Sequence, residues 1–167
     1  MKADVYVSLG TNLGDRAAQL GRALRALDAL PATRLDALSP IFETDPVGPP
    51  PQGAYLNAVA RLCTELEPRA LLDGMLAIER EAGRARSGVR NAARTLDLDV
   101  LFYGARVIEE PGLRVPHPRL AERPFVLEPL AALAPELRHP ELGATIDMLA
   151  ARVRDPRAVR RWCGSLG

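Results

Sequence analysis

The sequence predicts an α+β domain with the element order βαββαβ, and three observations predict it. Strand-like stretches of alternating pattern and helix-like stretches with apolar residues three and four apart follow one another in that order. The second and third strands are joined by a proline-rich loop with no helix between them, which excludes a doubly wound parallel sheet, where successive strands need crossovers. No internal repeat or linker divides the 167 residues, so 1–167 reads as a single domain. The order fits a mostly antiparallel, ferredoxin-like sheet with packed helices on one face and a helical C-terminal tail.

The first strand is Val5-Tyr6-Val7-Ser8-Leu9, rich in β-branched and aromatic residues and ended by Gly10. A turn at residues 11–15 offers Asn12 or Asp15 as the cap of a helix with Leu20, Leu24 and Leu27 on its inner stripe and Pro31 as its stop. Residues 34–42 form the second strand. Residues 45–53 hold four prolines and two glycines and exclude regular structure. In the third strand, residues 55–66, Tyr55, Asn57, Val59, Arg61 and Cys63 share one face, while Leu56, Ala58, Ala60 and Leu62 share the other. Pro68 opens a helix with Leu71, Met75 and Ile78 inward, and Gly83 ends it. After a polar loop at residues 84–93 come the fourth strand, 95–103, and a short edge strand, 106–108. Residues 113–123 read as irregular. Pro124 starts a helix carrying Phe125, Leu127, Leu130 and Leu133, and Thr145 caps a last one through Val153.

Composition narrows the function. A net charge of +1 excludes a general nucleic-acid or membrane binder, so anion recognition must come from a local cluster. Lys2 is the sole lysine among 22 Lys and Arg, so only the density and placement of arginines carry meaning. Cys63 and Cys163 form no metal-binding pattern and read as reduced thiols. No secretory segment follows Met1 and no apolar run is long enough to span a bilayer, so a cytoplasmic location is expected.

The sharpest chemical signal is Arg94-Thr95-Leu96-Asp97-Leu98-Asp99. On a strand, Asp97 and Asp99 project from one face while Leu96, Leu98 and Val100 project from the other. Neighbouring carboxylates repel each other, and a cation between them removes that cost. Hard oxygen donors without nearby Cys or paired His suit Mg²⁺, which completes its shell with water and substrate phosphates. Arg80, Arg84, Arg86, Arg90 and Arg94 crowd into the segment leading to the pair, and guanidinium groups bind phosphate oxygens in bidentate fashion. Metal-binding carboxylates beside phosphate-binding arginines are the division of labour in phosphoryl transfer. Pro116 and Pro118 hold His117 in an extended segment with Arg114, Arg119 and Arg123 near in sequence, a further phosphate contact. His139 has no such surroundings. Asn57 offers a donor and an acceptor to a heterocycle edge, and Tyr55 and Phe125 offer flat surfaces. Residues 44–48 can present unpaired backbone groups to a ligand. Neither a Walker A sequence nor a GxGxxG turn is present.

In order and spacing, Ser8-Leu9-Gly10-Thr11-Asn12-Leu13-Gly14-Asp15, Thr44-Asp45-Pro46-Val47-Gly48, Tyr55-Leu56-Asn57, Gly83-Arg84-Ala85-Arg86, the RTLDLD stretch ending at Asp99, and Val115-Pro116-His117-Pro118 resemble the hydroxymethyldihydropterin pyrophosphokinases. The C-terminal segment carries little of this likeness. The resemblance implies a ferredoxin-like fold, a monomer, ATP and 6-hydroxymethyl-7,8-dihydropterin as substrates, and AMP and the pterin diphosphate as products. It implies that Asp97 and Asp99 hold a pair of Mg²⁺ ions and that Arg84 and Arg94 act on the phosphates in catalysis. Arg86, His117, Arg123 and Glu79 join the ATP-binding set. Thr44, Pro46, Val47, Gly48, Tyr55, Asn57 and Phe125 enclose the pterin. One departure stands out: family members often carry Trp-Gly-Pro before the Arg of RTLDLD, whereas this chain has Asn91-Ala92-Ala93, and its one tryptophan is Trp162 in the tail. Two rivals stay open on the residues alone. A metal-dependent nucleotide hydrolase would release phosphate without a pterin, and a non-catalytic ligand-binding module would need neither aspartate.

Overall fold

The computed structural model describes residues 1–45, 53–83 and 96–166. The expected residues Pro46, Val47, Gly48, Arg84, Arg86 and Arg94, and the 91–93 stretch, lie outside them. The described elements are β1 (Ala3–Thr11), α1 (Arg16–Asp28), β2 (Thr33–Leu38), β3 (Phe42–Thr44), β4 (Tyr55–Thr64), α2 (Pro68–Gly83), β5 (Asp97–Tyr103), β6 (Ile108–Glu110), β7 (Leu113–Val115), α3 (Pro124–Leu133), α4 (Ile146–Val153) and β8 (Val159–Arg161). A single 3₁₀ turn spans Leu120–Glu122.

The main sheet is antiparallel throughout. β1 lies between β5 and β4, and β4 pairs on its far side with β2 at one end and β3 at the other. The expected second strand is therefore two strands lying along one neighbour. Pro40 causes the split, because it has no N–H to give to the ladder. Ser39 bridges the gap: its N–H donates to the Val59 carbonyl (2.9 Å), and its hydroxyl accepts from the Val59 N–H (2.9 Å).

Alternation along the strands sends side chains to two cores. Val5, Val7 and Leu9 of β1, with Leu56, Ala58, Ala60 and Leu62 of β4, pack under Leu20, Leu24 and Leu27 of α1 and Leu71 and Met75 of α2. Burying each such leucine contributes about 1.5–3 kcal/mol. α1 starts at Asp15, whose carboxylate accepts the Ala18 N–H (3.0 Å), and Gly14 before it adopts the left-handed φ of 62°. The opposite face of the sheet is not bare. Tyr6, Val59, Leu101 and Phe102 pack there against α3 and α4, so the expected helical tail forms the second core. Thr145 caps α4 as its sequence indicated, accepting the Met148 N–H.

Three local features depart from the sequence reading. β5 bulges: Tyr6 faces Phe102 and Val7 faces Val100, leaving Leu101 as the extra residue. The bulge reverses the parity of the strand, so Phe102 stays on the α3/α4 face with Asp97 and Asp99. The short strand expected at 106–108 begins at Ile108 and pairs with β7, which lies inside the stretch read as irregular. Finally, the tail ends in a strand, β8, paired with β3.

Candidate functional site

The site lies where the α3/α4 face of the sheet meets the N-terminal end of α3. In β5, Leu98 and Val100 are buried while Asp97 and Asp99 alternate with them, partly exposed on the other face. Cross-strand register sets what lies beside them. Asp97 faces Gly10 on β1, Gly10 faces Asn57 on β4, and Asn57 faces Phe42 on β3. One step along, Asp99 faces Ser8 and Ser8 faces Val59. At about 4.8 Å between strands, Asp97 and Asn57 stand about 10 Å apart, with a residue lacking a side chain between them. That gap forms a trough with acid on one bank and an amide on the other.

The trough is part of a cavity of about 250 Å³ lined by Thr44, Asp45, Tyr55, Asn57, Asp97, Asp99, Arg123 and Phe125, with Ser8 and Gly10 in its floor. Of the residues expected from sequence, this cavity brings together both aspartates, the amide, both aromatic rings, Thr44 and Arg123. Asn57 and Thr44 are buried, and the Asn57 Nδ2 donates to Thr44 Oγ1 at 2.5 Å. That bond fixes the amide's plane. Arg123 lies over the Phe125 ring at 5.8 Å, where the cation and the ring's π-face attract.

A second hollow of about 520 Å³ opens beyond Asp99, between β5 and the β6–β7 ribbon, and includes His117, Arg114, Leu98 and Leu72. Asp99 thus borders both spaces. His117 Nδ1 accepts the Arg119 N–H at 3.2 Å, so its neutral ring carries its proton on Nε2. Burial pushes its pKa below 6.5; Asp99 pulls it back upward, and Arg123 and Arg119 press it down again. His117 therefore meets a ligand near neutral pH as a neutral hydrogen-bonding group.

Glu79 is placed differently from the rest of its expected set. Its Oε2 accepts the Leu98 N–H at 2.8 Å, on the open edge of β5, and it lines neither hollow. It anchors the backbone link between the two aspartates. A larger space of about 890 Å³ lies between α1 and α2, but among the described residues its charged lining groups are Arg22 and Glu81, with no carboxylate pair.

Sequence reasoning missed Ser8 and Gly10 as site residues, and it counted Asp45 only through the backbone of the 44–48 loop. Gly10 was read as the end of a strand, although β1 continues through Thr11. Only the fold shows its role: an alanine Cβ at position 10 would sit 2.9 Å from Asn57 Oδ1, so glycine alone fits there without displacing the amide.

Comparison with known proteins gives the arrangement a context. A family model described as 7,8-dihydro-6-hydroxymethylpterin-pyrophosphokinase (HPPK) matches residues 6–135. A protein of Pseudomonas aeruginosa named 2-amino-4-hydroxy-6-hydroxymethyldihydropteridine pyrophosphokinase is 48% identical over 147 residues, 88% of this chain and 90% of that protein. A Bacillus subtilis protein of the same name is 41% identical over 148 residues, covering 89% and 88%. Among solved structures, a Plasmodium falciparum HPPK-DHPS crystallised with pteroate superposes with a TM-score of 0.76 over 96% of this chain at 14% identity, which bears on the fold alone. This chain spans 47% of that longer one. No described helix is long and apolar enough to cross a membrane.

Proposed function

The chain belongs to the 7,8-dihydro-6-hydroxymethylpterin-pyrophosphokinase family, and from that premise we propose how its own residues move diphosphate from ATP to 6-hydroxymethyl-7,8-dihydropterin in folate synthesis. The reading is carried by one observation: Asp97, with Asp99 beside it on the same face, stands across the side-chain-free position Gly10 from a fixed amide, inside a single cavity.

Tyr55 and Phe125 hold the flat pterin, and Asn57, locked by Thr44, reads its donor–acceptor edge. The hydroxymethyl group then points across the trough towards Asp97. The nucleotide enters from the second hollow, past His117, so its phosphates meet Asp99 first. Arg123 supplies positive charge from the α3 side, and Arg84, Arg86 and Arg94 belong to the same phosphate-binding set.

The donor set fits magnesium. Among the described residues no group of three or more His, Cys, Asp or Glu can hold a metal, so the site offers a pair of carboxylates and not a closed cage. Magnesium takes one or two carboxylates and fills its octahedron with water and substrate phosphates. Asp97 and Asp99 would hold a pair of such ions, which would supply positive charge to offset that of the phosphates. The alcohol oxygen forms a bond to the β-phosphorus while the bond to the α–β bridging oxygen breaks. AMP leaves, the β and γ groups travel together, and the alcohol proton is lost to the surroundings. Positioning by the aromatic clamp and the aspartates supplies most of the rate. The reading also takes residues 1–167 as one catalytic unit, acting as a monomer on cytoplasmic substrates.

The test is to mix the protein with ATP, Mg²⁺ and the reduced pterin and measure AMP. AMP should appear only when the pterin is present, and Asp97→Ala should abolish it while the fold persists. Phosphate release from ATP without pterin would favour a hydrolase, and near-normal transfer by the alanine variant would remove Asp97 from the metal site.

A further inference from the structure

We propose that Arg160, on β8 and outside the family-matched residues 6–135, is a positioning residue that acts through Asp45 to hold the pterin side of the cavity; this rests on the functional reading above. β3 contributes Thr44 to the cavity, and Asp45 follows it there, yet β3 is three residues long. A strand that short needs support on both edges to keep its place. β4 supports one edge, where Thr44 faces Tyr55 and Phe42 faces Asn57. β8 supports the other, with Thr44 facing Val159 and Glu43 facing Arg160. The ladder extends past both ends of β3: Asp45 N–H donates to the Ala158 carbonyl and Trp162 N–H to the Ile41 carbonyl, each at 2.9 Å.

Side chains reinforce that ladder in an alternating row of charge. The Arg160 guanidinium is 3.1 Å from Asp45 Oδ1 and 3.8 Å from Glu43 Oε1. Glu43 Oε2 in turn accepts from Arg16 (2.8 Å), which also donates to the Ala54 carbonyl (2.9 Å). The row therefore ties Asp45 to the carbonyl of Ala54, the residue preceding Tyr55 on the neighbouring strand. Arg160 is 42% exposed, so its ion pairs contribute little to global stability, as exposed pairs generally do. Their effect falls on where Asp45 and Thr44 sit. Thr44 holds the Asn57 amide, so a shift of β3 reaches the pterin contacts and leaves the aspartates of β5 where they are.

The experiment measures steady-state transfer by Arg160→Ala, Arg160→Lys and Asp45→Asn proteins and by the Arg160→Ala, Asp45→Asn double variant. Loss of a paired, partly exposed guanidinium should raise KM for the pterin about threefold to fivefold in Arg160→Ala, with kcat and KM for ATP within about twofold of wild type. Lysine keeps the charge but loses the planar fork, so it should restore part of the loss. In the Asp45→Asn background, removing Arg160 should add little further. An unchanged pterin KM in an active protein overturns the proposal. So does an equal rise in KM for both substrates, or an undiminished effect of Arg160→Ala when Asp45 is already asparagine. A wild-type protein that makes no AMP with pterin sinks the functional reading itself, which separates that failure from this one.

Discussion

Gly10→Ala isolates the trough with one methyl group. The added Cβ would lie 2.9 Å from Asn57 Oδ1, and ordinary contact begins at 3.4 Å, so one of the two must retreat by about 0.5 Å. The backbone cannot, because Gly10 and Asn57 face each other in the β1–β4 ladder and β3 pairs with Asn57 from the far side. The amide has to swing, and in doing so it stretches its 2.5 Å bond to Thr44 Oγ1. Weakening one buried hydrogen bond and misaligning the amide costs about 1–2 kcal/mol, or about fivefold to thirtyfold in pterin affinity. The carboxylates across the trough keep their places, so KM for ATP should be unchanged. The assay is pterin-dependent AMP formation with each substrate varied against a saturating level of the other. If Gly10→Ala leaves the pterin KM within twofold while Asn57→Ala raises it strongly, the amide does not depend on the empty position and the reasoning is wrong. If Asn57→Ala is also silent, Asn57 does not read the pterin at all.

Other positions can be tested in the same preparation. Glu79→Ala removes the acceptor of the Leu98 N–H between the two aspartates and should lower stability by about 1.5–3 kcal/mol in urea titration, with a fall in kcat; Glu79→Gln, which keeps an acceptor, should lose less. The buried His139 accepts the Glu141 and Leu142 N–H groups on its Nδ1 and meets Phe102 edge-on at 5.6 Å, and burial pushes its pKa below 6.5. Below that unfolded-state value the unfolded chain gains a proton that the folded ring resists, so stability should be full above pH 6.5 and decline as the pH drops beneath it. His117 shifts in the same direction. His139→Gln should be less stable near neutral pH yet lose less on acidification, and an equal acid loss in both proteins would remove His139 as the source.

Much of the site was legible because strand alternation is local information. A period of two places Asp97 with Asp99, and Tyr55 with Asn57, before any neighbour is known. Two helix starts were legible as well, since capping chemistry sits in the side chain itself: Thr145 caps α4, and Asp15, one of two candidates with Asn12, caps α1. The apolar run from Val100 to Tyr103 hid the bulge, because a continuous hydrophobic stretch has no alternation for an extra residue to interrupt. The Arg-rich tail hid β8, whose three residues become a strand only against β3.

The sequence by itself determined the βαββαβ order of the core, which residues of β4 and of the first part of β5 share a face, and the residue types suited to a metal, a phosphate and a flat ring. Tertiary structure alone decided that Gly10 stands between Asp97 and Asn57, that α3 and α4 close the second face, and that Arg160 reaches Asp45 from the far end of the chain. The division has a physical reason. Orientation along a strand follows from the stereochemistry of neighbouring residues, whereas register between strands is settled by packing and hydrogen bonds among segments far apart in the chain.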